Sequence, residues 1–175
     1  MFNCVKNFLL ATQNEEIQIE TVRVLSNLSR HSQLCEEQFT SDKEFLSMLI
    51  LVLDHTLRDL VFYSVGIIIN MSLHEKVRPA LLEMKVVDKL IDVLKDANLE
   101  DMELAKVAAK AIHNLQGVSD INKFWSEEAV TKLDEFTLTF GEELDSIMVS
   151  ILLELITSSR FRMLQQRKKW NRYRG

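Results

Sequence analysis

Three asparagines are the residues in this chain best suited to recognition chemistry. Asn27, Asn70 and Asn114 stand 43 and 44 residues apart, each within a similar segment: "IETVRVLSNLSRH", "FYSVGIIINMSLH" and "KVAAKAIHNLQGV". A side-chain amide both donates and accepts, so one Asn can satisfy a peptide N–H and C=O together. Repeated at a fixed interval, it could grip an extended strand whatever that strand's sequence. The same amide near a helix end can instead bond neighbouring loop backbone and fix how units stack. Both roles stay open at the level of sequence.

Other chemistry finds little support. A phosphate-binding loop needs clustered glycines, but Gly66, Gly117, Gly141 and Gly175 are scattered. No GxSxG or HExxH occurs, and no carboxylate pair stands in a recognisable catalytic setting. His31 and His74 each follow their Asn by four residues. Neighbouring helices pack roughly 8–10 Å apart, too far for two zinc ligands, and histidine near a helix C-terminus is favoured by the dipole. His55 and His113 have no evident ligand partner. No enzyme activity, metal or cofactor is expected.

The elements that carry the amides are helices. Positions five before, two before and one after each Asn are apolar: Val22, Val65 and Ala109; Leu25, Ile68 and Ile112; Leu28, Met71 and Leu115. These form a core stripe at helical spacing. The chain of 175 residues has 4 Gly and 1 Pro, too few for sheets joined by tight turns. Ahead of the amide helices, Asn14, Thr56 and Asn98 are candidate N-caps, with acidic residues following in the first and third cases. Lys43 to Asp54 and Val86 to Lys95 read as helices, and "VRPALLEM" as a short helix with Pro79 near its first turn. Each full unit is therefore a short helix, a longer one, and a long one ending near its Asn.

A period near 43 with this helical content resembles the armadillo repeat. The segment "LLEMKVVDKLIDVL", Leu81 to Leu94, follows that family's second-helix pattern with two departures. Lys85 stands where a turn glycine is usual and Asp88 where proline is usual; Glu44 and Ser47 depart likewise one unit earlier. The resemblance implies an all-α, right-handed α-solenoid of armadillo-type repeats. Residues 1–31 would form an incomplete repeat, 32–75 and 76–118 full repeats, 119–159 a degenerate capping repeat, and 160–175 a basic tail. In "IMVSILLELITSS" Glu154 falls where Asn would stand. Met1 enters in mid-unit, so the chain is expected to be a fragment or short isoform of a longer solenoid.

In that family the third helices line a groove, and the recurring Asn commonly holds the backbone of an extended peptide. Carried over, this makes Asn27, Asn70 and Asn114 the gripping residues. Nuclear-import members place Trp four residues before the Asn, where this chain has Arg23, Gly66 and Lys110. Basic import signals are therefore not the expected ligand. Tyr63 and Leu73 make the middle of the stripe apolar, while Arg23, Arg30 and Lys110 make its ends positive. A protein partner with an apolar anchor between acidic residues would fit. Within the family, the closer likeness is to a member of cilia and flagella, which implies a place in axoneme assembly.

The tail "RFRMLQQRKKWNRYRG" holds seven Lys/Arg and no acid. Arg167, Lys168, Lys169, Arg172 and Arg174 interleave with Trp170 and Tyr173, a pattern able to bind nucleic acid or another acidic polymer. The alternative is a solvated helix end folding back on an acidic body, and protein rather than nucleic acid is the expected partner. The two cysteines, Cys4 and Cys35, make no CxxC pair, which suits a reduced intracellular, cytoplasmic setting. No apolar run reaches the ~20 residues that span a bilayer.

Overall fold

The computed structural model describes residues 2–39, 41–97, 100–115, 126–140 and 150–157. Secondary structure among them is helical. In chain order the helices are α1 (Phe2–Ala11), α2 (Glu15–Leu28), α3 (Ser32–Leu34), α4 (Lys43–Val52), α5 (Arg58–Ser72), α6 (Arg78–Glu83), α7 (Val86–Ala97), α8 (Met102–Leu115) and α9 (Glu127–Phe140). Residues 35–39 extend α3 as one π-helical turn, and 150–157 are helical. The expected order of short, longer and long helix recurs as α3–α4–α5 and as α6–α7–α8.

Stacking of the long helices organises the molecule. The long helix α5 packs against α2 on one side and α8 on the other. The predicted core stripe is buried: Val22, Leu25, Val65, Ile68, Met71, Ala109, Ile112 and Leu115 lie within one continuous apolar cluster, and Leu28 packs on its margin. Shared burial between neighbours, rather than a single central core, holds such a stack together. A second layer adds to it, with Phe2, Phe39 and Phe45 meeting at centroid distances of 4.7–5.2 Å. That trio ties α1 and the π-turn to α4.

Helix starts follow short side chains. Asn14 Oδ1 accepts from the Ile17 N–H at 3.2 Å, as expected. Asp42 caps α4 through the Phe45 N–H at 3.0 Å. Thr56 does not cap α5, contrary to its sequence reading. The helix begins only at Arg58 after Leu57, which has no side-chain cap, and His55 Nδ1 accepts the Leu57 N–H at 3.1 Å. Asn98 lies outside the described residues; the Leu104 N–H of α8 is taken by Asp101 Oδ1 at 3.0 Å.

The turn between α6 and α7 shows the consequence of Lys85. Its φ is 57°, the one positive value among the described non-glycine residues. This is the left-handed conformation that favours glycine at a helix C-terminus. Lys85 adopts it nonetheless, and its N–H donates to the Leu82 carbonyl at 3.0 Å.

Ion pairs tie each unit to the next. Lys6 Nζ sits 2.7 Å from Asp42 and 3.1 Å from Glu44, and Lys132 Nζ sits 2.7 Å from Asp92. Arg58 reaches from α5 to Asp101 at 2.6 Å and Glu103 at 2.9 Å, while its guanidinium lies 4.6 Å over the Phe62 ring. Hydrogen bonding to Asp101 is the largest influence raising the Arg58 pKa, and the reciprocal bond holds the Asp101 carboxyl below its usual range.

Candidate functional site

The three asparagines sit on neighbouring helices but in different surroundings. Asn27 is exposed near the end of α2, while Asn70 and Asn114 are half-buried. Asn70 Nδ2 donates to Ser29 Oγ at 2.8 Å and to the Ser26 carbonyl at 3.3 Å. Both acceptors lie at the C-terminal end of α2, Ser29 as its C-cap, one unit earlier. Ser29 is itself fixed, since its buried hydroxyl donates to the Ser26 carbonyl at 2.7 Å. Asn70 thus closes a small polar network across the α2–α5 seam.

Asn114 does not repeat this. Its Nδ2 is buried without a hydrogen-bond partner among the described residues. The equivalent acceptor exists, because Ser72 is buried and donates to the Ile69 carbonyl at 2.7 Å just as Ser29 does to Ser26. What differs is the pair of side chains between the helices. At the α2–α5 seam, a Cβ added to Gly66 would lie 2.9 Å from Ser26 Oγ, so the missing side chain permits close approach. One unit later the equivalent positions hold Lys110 and Ile69, and no such small pair is present.

The flanking residues divide in the same way. The space beside Gly66 faces Ser26 Oγ of α2. Tyr63 is half-buried and meets Phe62 edge-on at 5.7 Å. Leu73 is 60% exposed, and Lys110 and Arg30 are exposed. Arg23 is exposed and paired with Glu20 on its own helix. Beside Asn114, His113 Nδ1 is also buried without a hydrogen bond and lies 4.0 Å from Glu154. Glu154, in the helical segment 150–157, therefore borders the same place.

Nucleophile and metal chemistry gain nothing from the geometry. Burial pushes the Cys35 thiol up to about 11, and its Sγ lies 2.9 Å from the Ser29 carbonyl. A thiol so placed is neutral and unreactive near pH 7. No group of three or more His, Cys, Asp or Glu able to hold a metal occurs among the described residues. Nor is any helix among them long and apolar enough to cross a membrane. The tail residues Arg167, Lys168, Lys169, Trp170, Arg172, Tyr173 and Arg174 lie outside the described residues.

Sequence reading missed Ser26 and Ser29, the partners of Asn70. The signal was present: a serine follows both Asn27 and Asn70 by two residues, as Ser29 and Ser72.

No family model matches the chain. Curated relatives do. Armadillo repeat-containing protein 2 of Mus musculus is 27% identical over 136 residues, 77% of this chain and 16% of the relative. The Bos taurus protein of that name is 28% identical over the same extent. The Homo sapiens protein is 28% identical over 138 residues, 78% of this chain and 16% of its own length. The chain thus matches about one sixth of the length of these relatives. Among solved structures, the crystal structure of an engineered protein superposes with a TM-score of 0.69 at 20% identity, covering 89% of this chain and 62% of that one. That likeness concerns the fold alone. Over 77% of its length the chain is similar to armadillo repeat-containing protein 2, and its fold is an all-α solenoid, as the recurring helical units led us to expect.

Proposed function

We propose that the protein is a non-enzymatic interaction scaffold that binds an extended segment of a protein partner along α2, α5 and α8. The observation that carries this reading is the Asn114 amide, half-exposed yet with a buried Nδ2 lacking any partner among the described residues. An unmatched buried donor costs roughly 1–3 kcal/mol, and a partner that displaces the groups covering this amide and brings up a backbone carbonyl would relieve it. Asn27, exposed on the neighbouring stack, and the positive charges of Arg23, Arg30 and Lys110 extend the same surface. The partner segment would carry an apolar residue against Leu73 and acidic residues toward the ends. A place in ciliary or flagellar axoneme assembly is the setting suggested by the likeness to armadillo repeat-containing protein 2.

The test compares proteins captured by the wild-type chain, by Asn114→Ala and by Leu51→Ala, a control on the exposed side of α4. A partner of the groove is retained by Leu51→Ala and lost with Asn114→Ala. Equal capture by all three would contradict the proposal.

A further inference from the structure

Where the ends of α4 and α7 meet the starts of α5 and α8 lies a depression of about 420 Å³. Its floor is apolar, formed by Val61, Val93, Ala97 and Leu104, each at most 7% exposed. Its rim is acidic, with Asp54, Asp96 and Glu100 exposed and Asp101 half-buried. The cations beside it are already engaged: Arg58 pairs with Asp101 and Glu103, and Lys89 with Asp54. The rim thus keeps an excess of negative charge around an apolar floor. Repeat stacking does not require these acids. Residues 12–14 and 53–57, which lead into α2 and α5, hold one acid between them, Asp54. Residues 96–101, ahead of α8, hold three.

A large apolar side chain flanked by positive charges suits such a place, since the floor takes the one and the rim the others. The chain holds a segment of that composition. Residues 160–175 contain seven of its 21 Lys and Arg and none of its 26 Asp and Glu. Within them Trp170 stands between Lys168 and Lys169 on one side and Arg172 and Arg174 on the other. This tail lies outside the described residues, but the helical segment ahead of it does not. Glu154 stands 4.0 Å from His113, near the end of α8. From Asp101 to His113 the chain rises about 18 Å over twelve helical residues. Thirteen residues separate Thr157 from Trp170, enough for about 20 Å as helix and about 43 Å when extended. From reach and charge together we infer that this depression is the docking site for the chain's own basic tail, with Trp170 over the apolar floor and the flanking Lys and Arg against the rim. A tail held there is withheld from other acidic partners. The site lies at the opposite end of α5 and α8 from Asn70 and Asn114, and its test does not depend on the proposed groove.

Disulfide trapping in the full chain tests this in a Cys4→Ser background, where the remaining Cys35 is buried. Thr56 lines the depression, is exposed and does not cap α5. Thr56→Cys is therefore paired with Asn171→Cys, beside Trp170. The competing pair is Leu73→Cys with Asn171→Cys, since Leu73 is exposed at the Asn70 end of α5, the end nearer to the tail's departure. Under mild oxidation the Thr56→Cys pair should close within one chain about tenfold faster than the Leu73→Cys pair, because docking raises the local concentration of the two thiols. Adding Asp96→Lys with Glu100→Lys should remove that preference. Glu16→Lys with Glu83→Lys, an equal change of charge at exposed positions elsewhere, should keep it. Raising the salt from about 0.1 M to about 1 M, which shortens the screening length from about 10 Å to about 3 Å, should weaken the preference with the rim unaltered. A Leu73→Cys pair that closes as fast or faster would overturn the inference, and so would equal effects of the two charge reversals. Disulfides formed between chains instead of within one would also overturn it, since the occupant would then be the tail of a second copy.

Discussion

Asn70 Nδ2 and Ser29 Oγ, 41 residues apart in sequence, lie 2.8 Å apart across the seam between α5 and α2. The amide is half-buried and the hydroxyl fully so, which makes the bond a clamp between units rather than a surface decoration. Removing either partner leaves the other short of a bond in a place water enters poorly. Ser29→Ala and Asn70→Ala should each lower stability by about 1 kcal/mol. The double variant should cost less than their sum, a coupling of about 0.5–1 kcal/mol measured by denaturant titration. Strict additivity would remove the clamp from the account.

Gly66 and Ser26 meet at the same seam. Alanine gains about 1 kcal/mol over glycine inside a helix, but the new Cβ at Gly66 would press on Ser26 Oγ at 2.9 Å. Gly66→Ala alone should therefore change stability little. In a Ser26→Ala background, where the obstructing oxygen is gone, it should stabilise by about 0.5–1 kcal/mol. Equal effects in both backgrounds, read from unfolding curves, would show that the two positions are not in contact.

Lys85 holds φ at 57° between α6 and α7. A left-handed conformation costs a residue with a Cβ roughly 1–2 kcal/mol, and glycine escapes that cost while losing more freedom on folding. Lys85→Gly should raise stability by about 0.5–1 kcal/mol on balance. A fall in melting temperature would mean that the lysine side chain contributes more than its backbone strain removes.

These three sites also show how far the sequence could be read. The helices and the core stripe were legible because each follows from local pattern, the apolar spacing around an Asn; Lys85 was legible only as a departure from the usual glycine, and its left-handed φ was not foreseen. The cap of α5 was not. Thr56 has the right side chain, but Leu57 precedes the helix and His55 takes the Leu57 N–H, a competition that spacing cannot rank. The Asn70–Ser29 bond was hidden for a different reason. It depends on the register between two helices that approach closely at Gly66. The sequence left open whether the amides bind a ligand or hold the stack; Asn70 bonds across the α2–α5 seam, whereas the Asn114 Nδ2 has no partner among the described residues.

Arg58 supplies a pH signature. Its hydrogen bonds hold the folded-state pKa of Asp101 below the unfolded value, so the carboxylate's contribution is present above that unfolded value and lost as pH falls through the folded one. Arg58 stays charged throughout. The wild-type melting temperature should therefore fall more steeply than that of Arg58→Met between about pH 5 and pH 3, the range spanning and lying below an ordinary aspartate pKa. Parallel curves would show that this partly exposed cluster adds nothing to stability.

The proposed function implies a division of labour: Asn70 holds the stack, while Asn114 would keep a donor for a partner. Thermal melting of Asn70→Ala and Asn114→Ala, side by side and without any partner, tests it most directly. Asn70→Ala should melt several degrees lower, at about 2–4 °C per kcal/mol for a chain of this size. Asn114→Ala should melt at or slightly above the wild-type temperature, because it deletes a buried donor that has no partner among the described residues. Equal losses in the two variants, or a larger loss for Asn114→Ala, would contradict the account.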